Sequence, residues 1–189
     1  MTEFTRHTVD TAPEAARPIL KGAKASVGFV PNLYATMAEA PSLLSAYTQL
    51  GDLLSKSSFS ATEQQIVLMT NNRLNGCEYC MAAHTSISQG AGVPADVIES
   101  LRSGTSIADS KLEALRTFAQ VMNETRGWPT QADLDAFFAA GYGQQQVLEV
   151  ILGTAFKVLS NYTNHVASTP LDAAFKANAW SSKDAQNAA

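Results

Sequence analysis

The chain reads as one all-α domain. Apolar positions recur at three- and four-residue spacing in nearly every segment. No alternating run of β-branched residues bounded by turn signals argues for a sheet. The composition, 46% hydrophobic and 16% charged over 189 residues, belongs to a compact unit with room for one sizeable core.

The elements follow from their boundary signals. A first helix is expected over 13–26, closed by the Gly28-Phe29-Val30-Pro31 break, then a short helix through Met37 and another from Pro41 to about residue 55. Ser60 and Glu63 have capping-box spacing just ahead of Ile66-Val67-Leu68-Met69, which predicts a helix over 61–74. Asn75-Gly76 stops that helix and Cys77 begins the next, which ends near Gly90. Pro94, Asp109 or Ser110, and Thr130 open three further helices. The longest helix is expected over 144–165, where Gly153 is the one glycine and no proline occurs. An N-terminal arm over 1–12, a folded domain over 13–176 and a disordered tail over 177–189 complete the expected organisation.

Thirteen Lys and Arg against seventeen Asp and Glu give a formal charge of −4, and no basic run appears, so nucleic acid is not an expected partner. No stretch approaches the ~18 uninterrupted apolar residues of a membrane span, and the N-terminus lacks the pattern of a secretory signal. A cytoplasmic protein with no membrane partner is expected. No Gly-rich loop follows a strand, so no nucleotide or flavin cofactor is expected either.

Both cysteines of the chain lie in Asn75-Gly76-Cys77-Glu78-Tyr79-Cys80-Met81-Ala82-Ala83-His84. On a helix, positions 77, 80 and 84 are related by steps of three and four and share one face. Two sulfurs and an imidazole then converge, at a helix start whose free N–H groups favour thiolate over thiol. In a reducing compartment such a pair is more often catalytic or metal-binding than a structural staple, and its short loop would restrain the unfolded chain little. Cys77 is nearer the helix start, whereas Cys80 is one turn from His84. Proximity to a base favours Cys80 as the attacking thiolate, Cys77 as its resolving partner and His84 as proton acceptor or relay. A metal reading would add His165 to this trio, but no second Cys pair or His-x-x-x-His is present, and no metal is expected.

Thr62-Glu63-Gln64-Gln65-Ile66-Val67-Leu68, followed by the Leu74–His84 run, resembles the carboxymuconolactone decarboxylase-like superfamily in its alkylhydroperoxidase D (AhpD), peroxidase-related branch. The resemblance implies an AhpD-like domain of about eight helices, with the Cys-x-x-Cys pair at the start of a central helix. It also implies a thiol-dependent peroxidase that reduces hydrogen or organic peroxides through a Cys77/Cys80 dithiol–disulfide cycle assisted by His84. An external dithiol, protein or small molecule, would restore the pair, and the chain would assemble as a homo-oligomer, a trimer, hexamer or dimer. Members that are strict decarboxylases lack the cysteine pair, which argues against lactone decarboxylation.

The family pattern places a relay glutamate twelve residues before the first cysteine, and here that position is Gln65. A neutral amide orients an imidazole but takes no proton at neutral pH. Glu63 lies about 200° around the helix from Gln65, so it cannot simply substitute, and its ordinary role is the capping box. Tyr79 stands where some relatives carry a further relay histidine, and it joins Gln65, Glu63 and His165 as candidate relay residues. Glu78, beside Cys77, is expected to be solvated. His165 suits the negative end of the long helix, with a place at an active site as the sharper alternative. The missing glutamate also motivates a second reading, a dithiol oxidoreductase or redox-sensing module without peroxide turnover.

Overall fold

The computed structural model describes residues 3–183. Among them the backbone forms nine α-helices: α1 (Arg17–Val27), α2 (Asn32–Met37), α3 (Pro41–Ser55), α4 (Ala61–Leu74), α5 (Glu78–Gly90), α6 (Ala95–Ser103), α7 (Ser110–Glu124), α8 (Gln131–Ala139) and α9 (Gln144–Ala167). Short 3-10 turns at Glu14–Ala16 and Ala173–Asn178 flank them. The largest departure from the expected boundaries is at α1. A regular helix from residue 13 would carry Pro18 in its interior, where the ring removes a hydrogen bond and meets a carbonyl. The chain instead makes a 3-10 turn first, so that Pro18 falls in the opening turn of α1.

Helix α4 is the axis of the domain. Its residues from Gln65 to Asn72 are buried without a break, so it is wrapped on all sides rather than lying on a surface. On one flank Ile66, Val67 and Met69 join Met81, Leu115, Phe118 and Phe137, with Phe137 stacked between Phe118 and Tyr142 at centroid separations of 4.3 and 4.6 Å. On the other flank Leu68 packs with Leu20, Leu44, Tyr47, Phe156, Cys77 and Cys80. The two sulfurs are thus part of the second core.

Helix α9 crosses α4 at Gly153. A Cβ there would stand 2.7 Å from the Val67 Cγ1, so only glycine permits this approach. From Gly153 a stripe of buried residues, Lys157, Ser160, Asn161 and Asn164, runs along the α9 face turned inward. An asparagine ladder holds that face in register. Asn161 donates to Asn72 Oδ1 at 3.0 Å and accepts from Asn75 at 2.8 Å, while Asn123 on α7 donates to Asn71 at 2.8 Å and to Asn75 at 3.2 Å.

The expected loose tail from 177 is corrected over 177–183. The Asn178 amide donates to Ser86 and Gln89, Arg102 binds the carbonyls of Asn178 and Ala179, and the Trp180 indole donates to the Arg102 carbonyl at 3.0 Å. The Ala/Ser/Asn-rich composition hid an aromatic anchor and a guanidinium clamp. Residues 184–189 lie outside the described residues. At the other end, the arm is tied down by His7, whose backbone N–H donates to Ala35 and whose ring pairs with Glu39 at 2.7 Å.

Candidate functional site

The α4–α5 junction builds the cysteine pair. Gly76 adopts φ +65°, a left-handed conformation that favours glycine. The Cys77 N–H then closes on the Asn72 carbonyl at 2.9 Å, which reverses the chain. Cys77 is the N-cap of α5 and Cys80 its third helical residue, with both thiols free and buried. His84 follows one turn later on the same helix, also buried.

Polar groups surround the sulfurs within this apolar core. The Asn164 amide of α9 donates to Cys80 Sγ at 3.2 Å and reaches Cys77 Sγ at 3.8 Å. Burial alone pushes the Cys80 thiol up. The hydrogen bond from Cys77, the Lys157 charge and hydrogen bonds from Ser160 and Asn161 outweigh it and bring Cys80 down to about 5. Cys77 moves the opposite way: its hydrogen bond to Cys80 and then its burial raise it far above the ordinary thiol range. The pair holds one proton, shared unequally, with Cys80 as thiolate and Cys77 as thiol.

His84 is set by two neighbours. Its Nδ1 lies 2.9 Å from Gln65 Oε1, an acceptor that Ser88 also approaches at 3.4 Å, so Nδ1 carries the hydrogen. Its Nε2 lies 2.9 Å from Lys157 Nζ and accepts from it. Burial, then the adjacent Lys157 charge, depress the imidazole well below its usual range, and it is neutral at physiological pH. Gln65 thus orients the imidazole and fixes its tautomer.

Lys157 is the residue that sequence reasoning missed. It is 0% exposed, yet its Nζ sits between the His84 imidazole and the Phe156 ring, whose centroid is 5.2 Å away. A fully buried lysine is rare unless paired, and the Cys80 thiolate is its counter-charge. One signal was present: Lys157 is the lone charged residue between Glu149 and His165. Nothing in the chain order connects it to a motif more than seventy residues earlier.

Cys80, His84 and Lys157 share the wall of a cavity of about 220 Å³ whose other sides are largely apolar and aromatic, including Leu33, Tyr34, Tyr47 and Phe175. The remaining candidates lie elsewhere or are otherwise engaged. The Tyr79 ring borders the cavity, but its hydroxyl donates to Asp172 at 2.5 Å and accepts from the Leu33 N–H at 3.3 Å. Glu63 caps α4 through Ser60 and accepts from Tyr142. His165 is exposed in the last turn of α9. Glu78 is exposed and accepts from the Ser182 backbone and hydroxyl. Among the described residues no three His, Cys, Asp or Glu side chains gather as a metal site, and no helix is long and apolar enough to cross a membrane.

Residues 41–124, from the start of α3 to the end of α7, match the model of the carboxymuconolactone decarboxylase family. No protein of curated function matches the sequence. Among solved structures, an alkylhydroperoxidase AhpD core described as an uncharacterized peroxidase-related protein from Ralstonia eutropha JMP134 superposes with a TM-score of 0.81 at 20% identity, covering 93% of this chain and 96% of that one. A peroxidase-related protein from Silicibacter sp. TM1040 gives 0.76 at 21% identity over 92% and 95%. The debrominase Bmp8, in complex with 2,3,4-tribromopyrrole, gives 0.79 at 20% identity over 94% and 96%. At these identities the likeness is one of fold, and the same scaffold carries proteins described by different chemistries.

Proposed function

We propose that the chain, whose residues 41–124 match the carboxymuconolactone decarboxylase family model, is a thiol-dependent peroxidase that reduces hydrogen or organic hydroperoxides. The observation that carries this reading is the placement of two free, adjacent thiols, Cys80 at the cavity wall with His84 and Lys157 and with Asn164 donating to its Sγ at 3.2 Å, an arrangement that lowers the Cys80 thiol and raises that of Cys77. The Cys80 thiolate attacks the terminal oxygen of the hydroperoxide. The O–O bond breaks, the alkoxide leaves with a proton as alcohol, and Cys80 becomes a sulfenic acid. The Cys77 sulfur then attacks the Cys80 sulfur, releasing water and forming the disulfide, which an external dithiol reduces. His84, neutral and fixed by Gln65, belongs to the proton relay. The mostly apolar cavity accommodates the organic part of the substrate.

The test mixes reduced protein with a small excess of tert-butyl hydroperoxide and follows thiol loss by mass and labelling, with turnover measured in dithiothreitol or a thioredoxin-type reductant. Loss of both thiols with sustained turnover, abolished by Cys80→Ser, is expected. Fast stoichiometric oxidation without turnover would instead indicate a redox sensor or dithiol relay. The Bmp8 likeness and the aromatic cavity favour one further assay, bromide release from a brominated pyrrole in the presence of a dithiol.

A further inference from the structure

The core of the molecule holds a cation. Lys157 has no exposed surface, stands at the cavity wall beside Cys80, and is one helical turn beyond the glycine that brings α9 against α4. One of its three N–H donors goes to His84 Nε2 at 2.9 Å, which leaves two for a group in the cavity. We propose that Lys157 is the catalytic acid of this site, its ammonium aimed by the neutral His84 imidazole so that it protonates the alkoxide leaving as the Cys80 thiolate attacks a hydroperoxide. The inference rests on the peroxidase reading and assigns the proton that reading requires.

Gln65 is the counterpart of this arrangement. A carboxylate at position 65 would stand 2.9 Å from His84 Nδ1 and would favour an imidazolium. Its Nε2 would then carry a hydrogen and confront the Lys157 ammonium with a second cation. With the neutral amide, Nε2 keeps its lone pair and Lys157 has an acceptor. Gln65 and Lys157 therefore act together: the amide behind the histidine leaves Nε2 as an acceptor for the ammonium in front of it.

The steps balance. Cys80–S⁻ takes the terminal oxygen, the O–O electron pair leaves on the alkoxide, and Lys157–NH₃⁺ gives it a proton, leaving Cys80–SOH, alcohol and a neutral amine. Attack by Cys77–SH forms the S–S bond and releases water. The dithiol reductant returns both cysteines as thiols, and Cys80–SH gives its proton to the Lys157 amine, which restores the starting pair.

The test compares tert-butyl hydroperoxide, whose alkoxide needs a proton, with peracetic acid, whose carboxylate leaves without one. In Lys157→Met, single-turnover oxidation of Cys80, corrected for thiolate fraction from the pH profile of iodoacetamide alkylation, should fall by about 10²-fold or more with the alkyl hydroperoxide and far less with the peracid. On the unaltered protein, the solvent deuterium isotope effect should be larger for the alkyl hydroperoxide, a readout that survives if the variant fails to fold. In Gln65→Glu, the same selective loss should appear in part. Equal corrected losses for both oxidants in Lys157→Met, or equal isotope effects, would overturn the assignment while leaving the peroxidase reading intact. Unaltered protein that consumes neither oxidant would overturn the peroxidase reading itself.

Discussion

Gly153→Ala tests how the helix crossing sets the site. The added Cβ would lie 2.7 Å from the Val67 Cγ1, about 0.7 Å short of ordinary contact at 3.4 Å. Val67 is fully buried and β-branched, so it cannot swing aside. Relief must come from α9 moving outward. If the helix shifts as a body by that amount, the Lys157–His84 hydrogen bond stretches from 2.9 Å to about 3.6 Å, beyond useful length. Overpacking costs roughly 1–3 kcal/mol, while alanine regains about 1 kcal/mol of helix propensity. The expected net loss is therefore ~1 kcal/mol, a fall of about 2–4 °C in Tm for a domain of this size. Alkylation of Cys80 should report the displaced charge as an upward shift of its pH midpoint. Urea melts and iodoacetamide profiles measure both, and the double variant with Val67→Ala should recover the midpoint by making room. A Gly153→Ala protein as stable as the parent, with an unchanged alkylation midpoint, would refute the claim that this crossing places Lys157.

Alkylation of reduced protein should have its midpoint near pH 5 at Cys80, with Cys77 unreactive, and Cys77→Ala should move that midpoint upward by removing the donated hydrogen bond. Because the Cys80 thiol is lowered in the folded state, the unfolded chain binds the extra proton between about 5 and the ordinary thiol range. Stability of the reduced protein from Cys80 should thus rise with pH across that window and be lost as pH falls through about 5. Urea midpoints measured against pH should show that slope in the parent and lose it in Cys80→Ser. Asp172→Ala would leave the Tyr79 hydroxyl and the Asn32 N–H without their buried acceptor, with an expected cost of about 1–3 kcal/mol in urea melts. An unchanged midpoint would show that this tie between the C-terminal segment, α2 and α5 is dispensable.

Most helices were legible because each carries its own punctuation: the Ser60–Glu63 capping box, the Asn75-Gly76 stop and Thr130 all act within a turn of where they stand. The Cys77, Cys80 and His84 face was legible for the same reason, since helical periodicity alone puts those residues together. The packing of 177–183 was not, because composition says nothing about which distant groove an indole such as Trp180 will find.

What the sequence by itself determined is the set of local structures and the constellation on one helix, since both depend on interactions three or four residues apart. The tertiary structure alone decided the chemistry around that constellation. The crossing at Gly153 brings Lys157, Ser160, Asn161 and Asn164 of α9 against α5, and there Lys157, Ser160 and Asn161 add to the hydrogen bond from Cys77 in lowering the Cys80 thiol. It also decided what Gln65 means: a relay position without its glutamate in the sequence is, in the fold, the acceptor that fixes the tautomer of His84, which burial and the Lys157 charge keep neutral. Electrostatics acts through space, and in a low-dielectric core a charge from a remote helix adds to what the nearest residues along the chain supply.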